Sequence, residues 1–201
     1  MLRFSWDYKD QFKEMSAGVE APKGAQEKGG FPPALLAFLP AFYGLTPDET
    51  REIATIIVKV AYRQGQVVFD ESSPGDALYV ILRGRVDIRV GVGDEARTIA
   101  SLPEGSILGE LALLDQQTRS ASAVASEETV LLRLETDEVH DLMSRGSVAA
   151  YKVIYNLGRV VAQRLRAVNK QLVNALSDSN QKGSEEEITE LEKKLLTEWN
   201  F

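Results

Sequence analysis

The sequence predicts a mainly β protein with flanking helices, closed by a long C-terminal helix. Three observations predict it. Between Val58 and Leu134, short apolar runs alternate with polar residues and are broken at short intervals by Gly, Pro and Asp. A helix-start pattern, Thr46 with Glu49, stands before this region, and an apolar stripe at helical spacing follows it. Many short strands with regular turn signals indicate an all-β sandwich or barrel rather than alternating β and α units.

The strands follow from periodicity. "RVDIRV" places Val86, Ile88 and Val90 on one face and Arg85, Asp87 and Arg89 on the other, a half-buried strand. "ALYVIL" before it, "RTIASL" after it and "TVLLRL" at Thr129–Leu134 predict further strands. Gly65, "SSPGD", Gly84, "GVGD" and "PEGS" supply the turns between them.

The helices read from spacing and caps. Phe4, Tyr8, Phe12 and Met15 predict a short amphipathic helix, docked on the core or on a partner. "SAGVEAPKGAQEKGGFPP" reads as a linker whose composition buries too little apolar surface to offset the entropy of ordering. Phe38–Tyr43 reads as a short helix, and Thr46, Pro47 and Glu49 open another that runs into "ATII". "TDEVHDLM" predicts a helix stopped by Gly146. From about Val148 to Leu176 the stripe Ile154, Leu157, Val161, Leu165, Val168, Leu172 and Leu176 averages near an eleven-residue repeat. Such a helix packs on its own barrel, on a twin, or on both. The tail has a capping box at Ser184 and Glu187, and Ile188, Leu191, Leu195 and Trp199 share one face.

Composition excludes several classes. Cysteine is absent from the 201 residues, which removes disulfides, thiolate metal sites and thiol nucleophiles. A single histidine, His140 on a polar-faced helix, leaves little for a zinc site or a serine–histidine triad. The net charge of −7 opposes broad binding to a polyanion. The start "MLRFSWDY" does not read as a signal peptide, and no apolar run approaches a membrane span, so a soluble cytoplasmic protein is expected.

One stretch carries the chemistry. In "ILGELALLDQQTRSASAVA", Glu110 and Arg119 stand among small residues. Gly109 lets a ligand approach the backbone, and the following turn offers N–H groups to an anion. The donor fork of Arg119 suits a phosphate. Glu110 would repel that anion, but it can accept from a neutral hydroxyl. Ala112, Ser120 and Ala121 leave room for a ring, so a ribose joined to a phosphate fits the set. A plainer reading stays open on charge pattern alone: Glu110 as a helix-start carboxylate, and Arg119 paired with Asp115 at the surface.

These residues resemble the phosphate-binding cassette of the cyclic nucleotide-binding domain family, which reads loosely Gly-Glu-Leu-Ala-Leu, a variable loop, then Arg with small residues. The chain has "GELALL", "DQQT" and "RSASA", and Gly65, Gly75, Asp76, Tyr79 and Gly84 match the family's early strands. The resemblance covers about residues 38–171. It implies a jelly-roll β-roll that holds cAMP or cGMP as ligand, with no cofactor and no metal. By similarity Glu110 accepts from the ribose 2′-hydroxyl and Arg119 neutralises the cyclic phosphate. Backbone groups around Gly109, Leu111 and Ala112, with Ser120 and Ala121, complete the cradle. The helices after the roll would act as hinge and lid. Thr118 stands where proline is frequent before the arginine, and Ile107-Leu108 where an aromatic pair is common. Val168 and Asn169 replace the Thr-Ser pair that catabolite-activator relatives set against adenine, which leaves base preference open, and Ser120 offers a hydroxyl to a syn guanine.

The expected organisation is an N-terminal extension and linker (1–37), the β-roll with flanking helices (38–147), the long lid or dimer helix (148–177) and an acidic amphipathic tail (178–201). The expected function is a non-catalytic cyclic-nucleotide receptor, homodimeric through the long helix and signalling to a protein partner, without DNA or membrane binding. The alternatives are a module of the same fold that no longer binds nucleotide, and a transcription regulator of the catabolite-activator type.

Overall fold

The computed structural model describes residues 6–22, 26–91 and 96–179. The chain divides into two compact units, residues 1–160 and 161–201. The predicted tail helix, the "GVGD" turn beyond Gly91 and Phe4 lie outside the described residues.

The elements run α1 (Trp6–Ala17), β1 (Gln26–Lys28), two 3-10 segments (Pro33–Phe38 and Pro40–Phe42), α2 (Pro47–Ala54), β2 (Ile57–Tyr62), β3 (Val67–Phe69), β4 (Ala77–Arg83), β5 (Val86–Val90), β6 (Arg97–Leu102), β7 (Ile107–Leu108), α3 (Glu110–Asp115), β8 (Ser122–Ala125), β9 (Thr129–Glu135), α4 (Thr136–Ser144) and α5 (Val148–Ser179). The strands form two antiparallel sheets, ordered β1-β2-β9-β4-β7 and β3-β8-β5-β6. This is the β-roll with flanking helices and a long final helix that the sequence predicts.

Period-two alternation divides the core. Leu78, Val80 and Leu82 of β4, with Val130, Leu132 and Leu134 of β9, pack against the helices and 3-10 segments. Their neighbours Ala77, Tyr79, Ile81 and Leu131 face the other way, toward Val86 and Ala123 of the second sheet. Because β4 is covered on both faces, it is buried from Ala77 to Leu82. Each fully buried Leu or Ile in the helix-side cluster contributes about 1.5–3 kcal/mol relative to exposure. On α3, Leu113 joins this cluster and anchors the short helix to it.

Two local expectations are corrected. The helix expected over Phe38–Tyr43 is two 3-10 segments meeting at Leu39, whose φ −101° and ψ 132° are extended. Leu39 precedes Pro40, and the proline ring disfavours α geometry in the residue before it. α2 runs from Pro47 into "ATII" as expected, ending at Ala54, and Ile57 already belongs to β2; β-branched residues favour that exchange. The stretch read as a linker contains β1, paired along β2 with Glu27 opposite Lys59, and a buried Val19. Phe12 and Met15 of α1 dock on the same core.

At the α2 start, Thr46 accepts from the Glu49 N–H and Glu49 accepts from the Thr46 N–H, the reciprocal cap that the sequence predicts. On α5, Ala149, Ala150, Val153 and Leu157 are buried in the helix-side core, whereas Val148, Tyr151 and Tyr155 are exposed. Of the predicted stripe, Leu157 is in the core and Ile154 packs against it, whereas Leu165 and Val168 are exposed. The side chains of Leu172 and Leu176 lie outside the described residues. Asn156 closes the polar accounts of the first turns by donating to the Ala41 and Tyr43 carbonyls.

Candidate nucleotide site

Arg119 organises the site. It is 4% exposed, and its backbone is tied to the "SSPGD" turn: the Arg119 N–H donates to Ser73 O (2.9 Å), and the Ser72 N–H donates to Arg119 O (2.8 Å). The side chain then reaches the start of β4. Nη2 donates to the Asp76 carboxylate at 3.0 Å and the Ala77 carbonyl at 2.7 Å, and Nη1 donates to the Gly109 carbonyl at 3.2 Å. The guanidinium lies over the Phe69 ring, 4.3 Å from its centre. Cation–π contact and carbonyl acceptors together make burial of the charge tolerable. Nε is buried and has no partner among the described residues. The Nε atoms of Arg89 and Arg133 share that state, so it is the packing against Gly109 that sets Arg119 apart.

Gly109 shows why this position needs glycine. Its φ is +76°, and an added Cβ would collide with Arg119 Nη1 and stand 3.0 Å from the Ala77 carbonyl. The tight turn therefore serves the close approach of the guanidinium to the backbone. Glu110 follows as the first residue of α3 and is 6% exposed. The structure thus places Gly109 against Arg119 and buries Glu110 beside that turn, with Ala121, 9% exposed, at the other end of the loop. Leu111 and Ser120 are exposed, and the side chain of Ala112 lies outside the described ones. The surface pairing of Arg119 with Asp115 is not formed: Arg119 is buried on Asp76, and Asp115 instead accepts from the Gln117 N–H.

Polar groups absent from the sequence-derived set surround the same charge. Asp76 bridges two arginines, with Oδ1 3.0 Å from Arg119 Nη2 and Oδ2 2.9 Å from Arg133 Nη2. Arg133 also pairs with Glu135 at 2.7 Å. Tyr79 lies opposite Arg133 on the β4–β9 ladder. Burial pushes the Tyr62 phenol up to about 12 and raises that of Tyr79, so both are neutral donors at physiological pH. A signal for Arg133 was present in "TVLLRL": the arginine keeps the inward phase of Leu131, so a charge stands where alternation demands an apolar residue.

The domain that carries these residues has known relatives. The family model described as cyclic nucleotide-binding domain matches residues 59–146. The chain is 37% identical over 134 residues to the cyclic AMP receptor protein of Thermus thermophilus, covering 66% of this chain and 60% of that one. It is 32% identical over 124 residues to the cAMP-dependent protein kinase regulatory subunit of Aspergillus fumigatus, covering 58% of this chain and 30% of the relative. Matches to these two curated relatives thus span less than two thirds of their lengths. Among solved structures, the Thermus thermophilus catabolite activator protein superposes with a TM-score of 0.58 at 34% identity, covering 72% of each chain. With an invading guanidinium, a glycine that accommodates it and a buried glutamate in one short loop, and with these relatives, the chain belongs to the cyclic nucleotide-binding domain family.

Proposed function

We propose that the chain is a non-catalytic, cytoplasmic receptor for a 3′,5′-cyclic nucleotide, cAMP or cGMP. The observation that carries this reading is Arg119: a buried guanidinium lodged at a glycine turn with no space for a Cβ, with the buried Glu110 next in the chain after that glycine. In this reading a cyclic phosphate accepts from Arg119, and Glu110 accepts from the ribose 2′-hydroxyl. Leu111, Ala112 and Ser120 contribute backbone or hydroxyl groups, and Ala121 supplies a small wall. Phe69 and Tyr79, whose rings are 5.8 Å apart, give the ligand an aromatic flank. The output is a shift of the helices after the roll toward the arrangement that the nucleotide prefers.

Assembly belongs to the same proposal. Val148, Tyr151 and Tyr155 are 59%, 53% and 70% exposed on α5, and Leu165 and Val168 are also exposed farther along it. Apolar side chains exposed in series on one helix suit pairing with a second copy, and light scattering on the intact protein tests that. A protein partner then reads the helix arrangement. DNA is not a partner in this reading, and a gel shift with and without cAMP tests it.

One observation favours a second reading. Asp76, Ala77 and Gly109 already engage both terminal nitrogens of Arg119, so a module of the same fold that has ceased to bind nucleotide would hold its arginine in this way. Calorimetry with cAMP, cGMP and 5′-AMP separates the two. The receptor binds a cyclic nucleotide and not 5′-AMP; Arg119→Ala and Glu110→Ala each weaken binding about tenfold or more, Arg119→Ala the more. A 2′-deoxy analogue loses affinity in wild type and much less in Glu110→Ala. Equal affinity across wild type and both variants refutes the assigned roles.

A further inference from the structure

Resting on that receptor reading, we propose that Arg133 is a positioning residue for nucleotide binding: it holds the Asp76 carboxylate when a ligand phosphate takes Arg119. Four side chains form a row of alternating charge, Arg119, Asp76, Arg133 and Glu135, with successive contacts of 3.0, 2.9 and 2.7 Å. Asp76 divides its two oxygens between the two guanidinium groups. A phosphate arriving at Arg119 brings a second negative charge next to that carboxylate, and like charges at such distance repel.

Asp76 has no route of retreat through its backbone. The Thr136 N–H donates to the Asp76 carbonyl at 2.8 Å, and the Thr136 hydroxyl donates to the Gly75 carbonyl at 3.3 Å. The turn is thus fastened to the first residue of α4, and only the carboxylate can change partners. Arg133 supplies the alternative partner. It stands on β9 between Val58 of β2 and Tyr79 of β4, where both ladders fix its backbone. Its side chain is 21% exposed, against 2% for that of Arg119. Glu135 holds the other end of the guanidinium and keeps it from following the ligand. Arg133 also hydrogen-bonds the Tyr79 side chain, a further tie that holds its guanidinium in place beside Asp76 and Glu135.

The same row has a second consequence. Glu135 is the residue from which α4 starts, so the exchange of partners at Asp76 is felt at the first turn of that helix through one arginine.

A double-mutant cycle tests this on the full chain, by calorimetry with cAMP and cGMP and with a thermal melt of each variant. In the wild-type background, Arg133→Met weakens nucleotide binding about fivefold or more, because Asp76 then competes undivided for Arg119. In the Asp76→Asn background the same substitution changes affinity by less than about twofold, since no carboxylate is left to hold. Arg133→Lys, which retains the charge, recovers part of the loss and serves the cycle if Arg133→Met does not fold. Equal losses in both backgrounds, or no loss in either, overturn the positioning role while leaving the receptor reading intact. Wild type that binds neither nucleotide, or binds as well as Arg119→Ala does, removes both.

Discussion

Leu132 and Arg133 are neighbours on β9, yet they serve opposite sides of one sheet. Leu132 is fully buried on the helix side, among residues from α1, α2, α4 and the start of α5. Arg133 is on the side of Leu131 and Tyr79, where the apolar cluster is smaller and rimmed by half-buried Tyr62, Val68, Phe69 and Ile88. Two buried cations extend the contrast. Lys59 is 2% exposed and donates to the Glu20 carbonyl at 2.8 Å and the Gly30 carbonyl at 3.0 Å, with Glu27 at 3.3 Å. Arg119 is equally sequestered but retains an unpartnered Nε. Lys59 donates to backbone carbonyls of the N-terminal segment and so fastens the chain to itself, whereas Arg119 shares the Asp76 carboxylate with a second arginine beside the Gly109 turn. The kind of partner, more than the depth of burial, separates the stabilising face from the binding face.

The largest effect that bears on this contrast is expected at Leu132. Leu132→Ala removes a side chain from the closed face and should destabilise the fold by about 2–5 kcal/mol. Chemical denaturation measures that. Affinity for cyclic nucleotide, determined where the variant remains folded, should be unchanged. If affinity falls in proportion to stability, the two faces are not independent and the contrast fails.

Much of this division was legible in the chain. Alternation in "ALYVIL" and "TVLLRL" locates two faces, Thr46 and Glu49 locate the α2 start, and "GELALL" with Arg119 locates the cassette. What was not legible depends on partners remote in sequence. β1 is three polar residues, and nothing local makes "QEK" a strand until β2 presents its edge. Lys59 reads as an ordinary exposed position in an alternating strand, because its acceptors on Glu20 and Gly30 are 39 and 29 residues away. Asp76 was visible only as part of the family pattern, since its two arginines are 43 and 57 residues downstream.

An intermediate effect is expected at Lys59. Lys59→Met retains much of the apolar stem but leaves the Glu20 and Gly30 carbonyls without their shared donor. Unsatisfied buried acceptors cost about 1–3 kcal/mol in total here, with the loss concentrated where the N-terminal segment meets β2. Hydrogen exchange should show the amides of β1 exchanging faster while those of β4 keep their protection. Nucleotide affinity should again be unmoved. An affinity loss as large as that of Arg119→Ala would mean that the fastening belongs to the binding face after all.

The smallest effect is expected at Tyr62, and it shows in pH rather than in magnitude. Burial raises this phenol from 10.0 to about 12, with the neighbouring Tyr79 adding to the shift. The folded state therefore holds the proton more firmly than the unfolded chain does. The associated stability is present in full below about pH 10 and is lost as pH rises from there through about 12. Tyr62→Phe removes the titrating group, so the difference between wild type and variant should change along that alkaline limb. Near neutrality the two should differ by only about 1 kcal/mol, the worth of one neutral hydrogen bond in a partly hydrated place. Denaturation midpoints of both proteins, taken from pH 8 to 12, measure it. A constant offset across the range would show that the phenol titrates alike in folded and unfolded chains. Tyr62 would then be as hydrated as a surface residue, and the roll interior would be open to water on that flank.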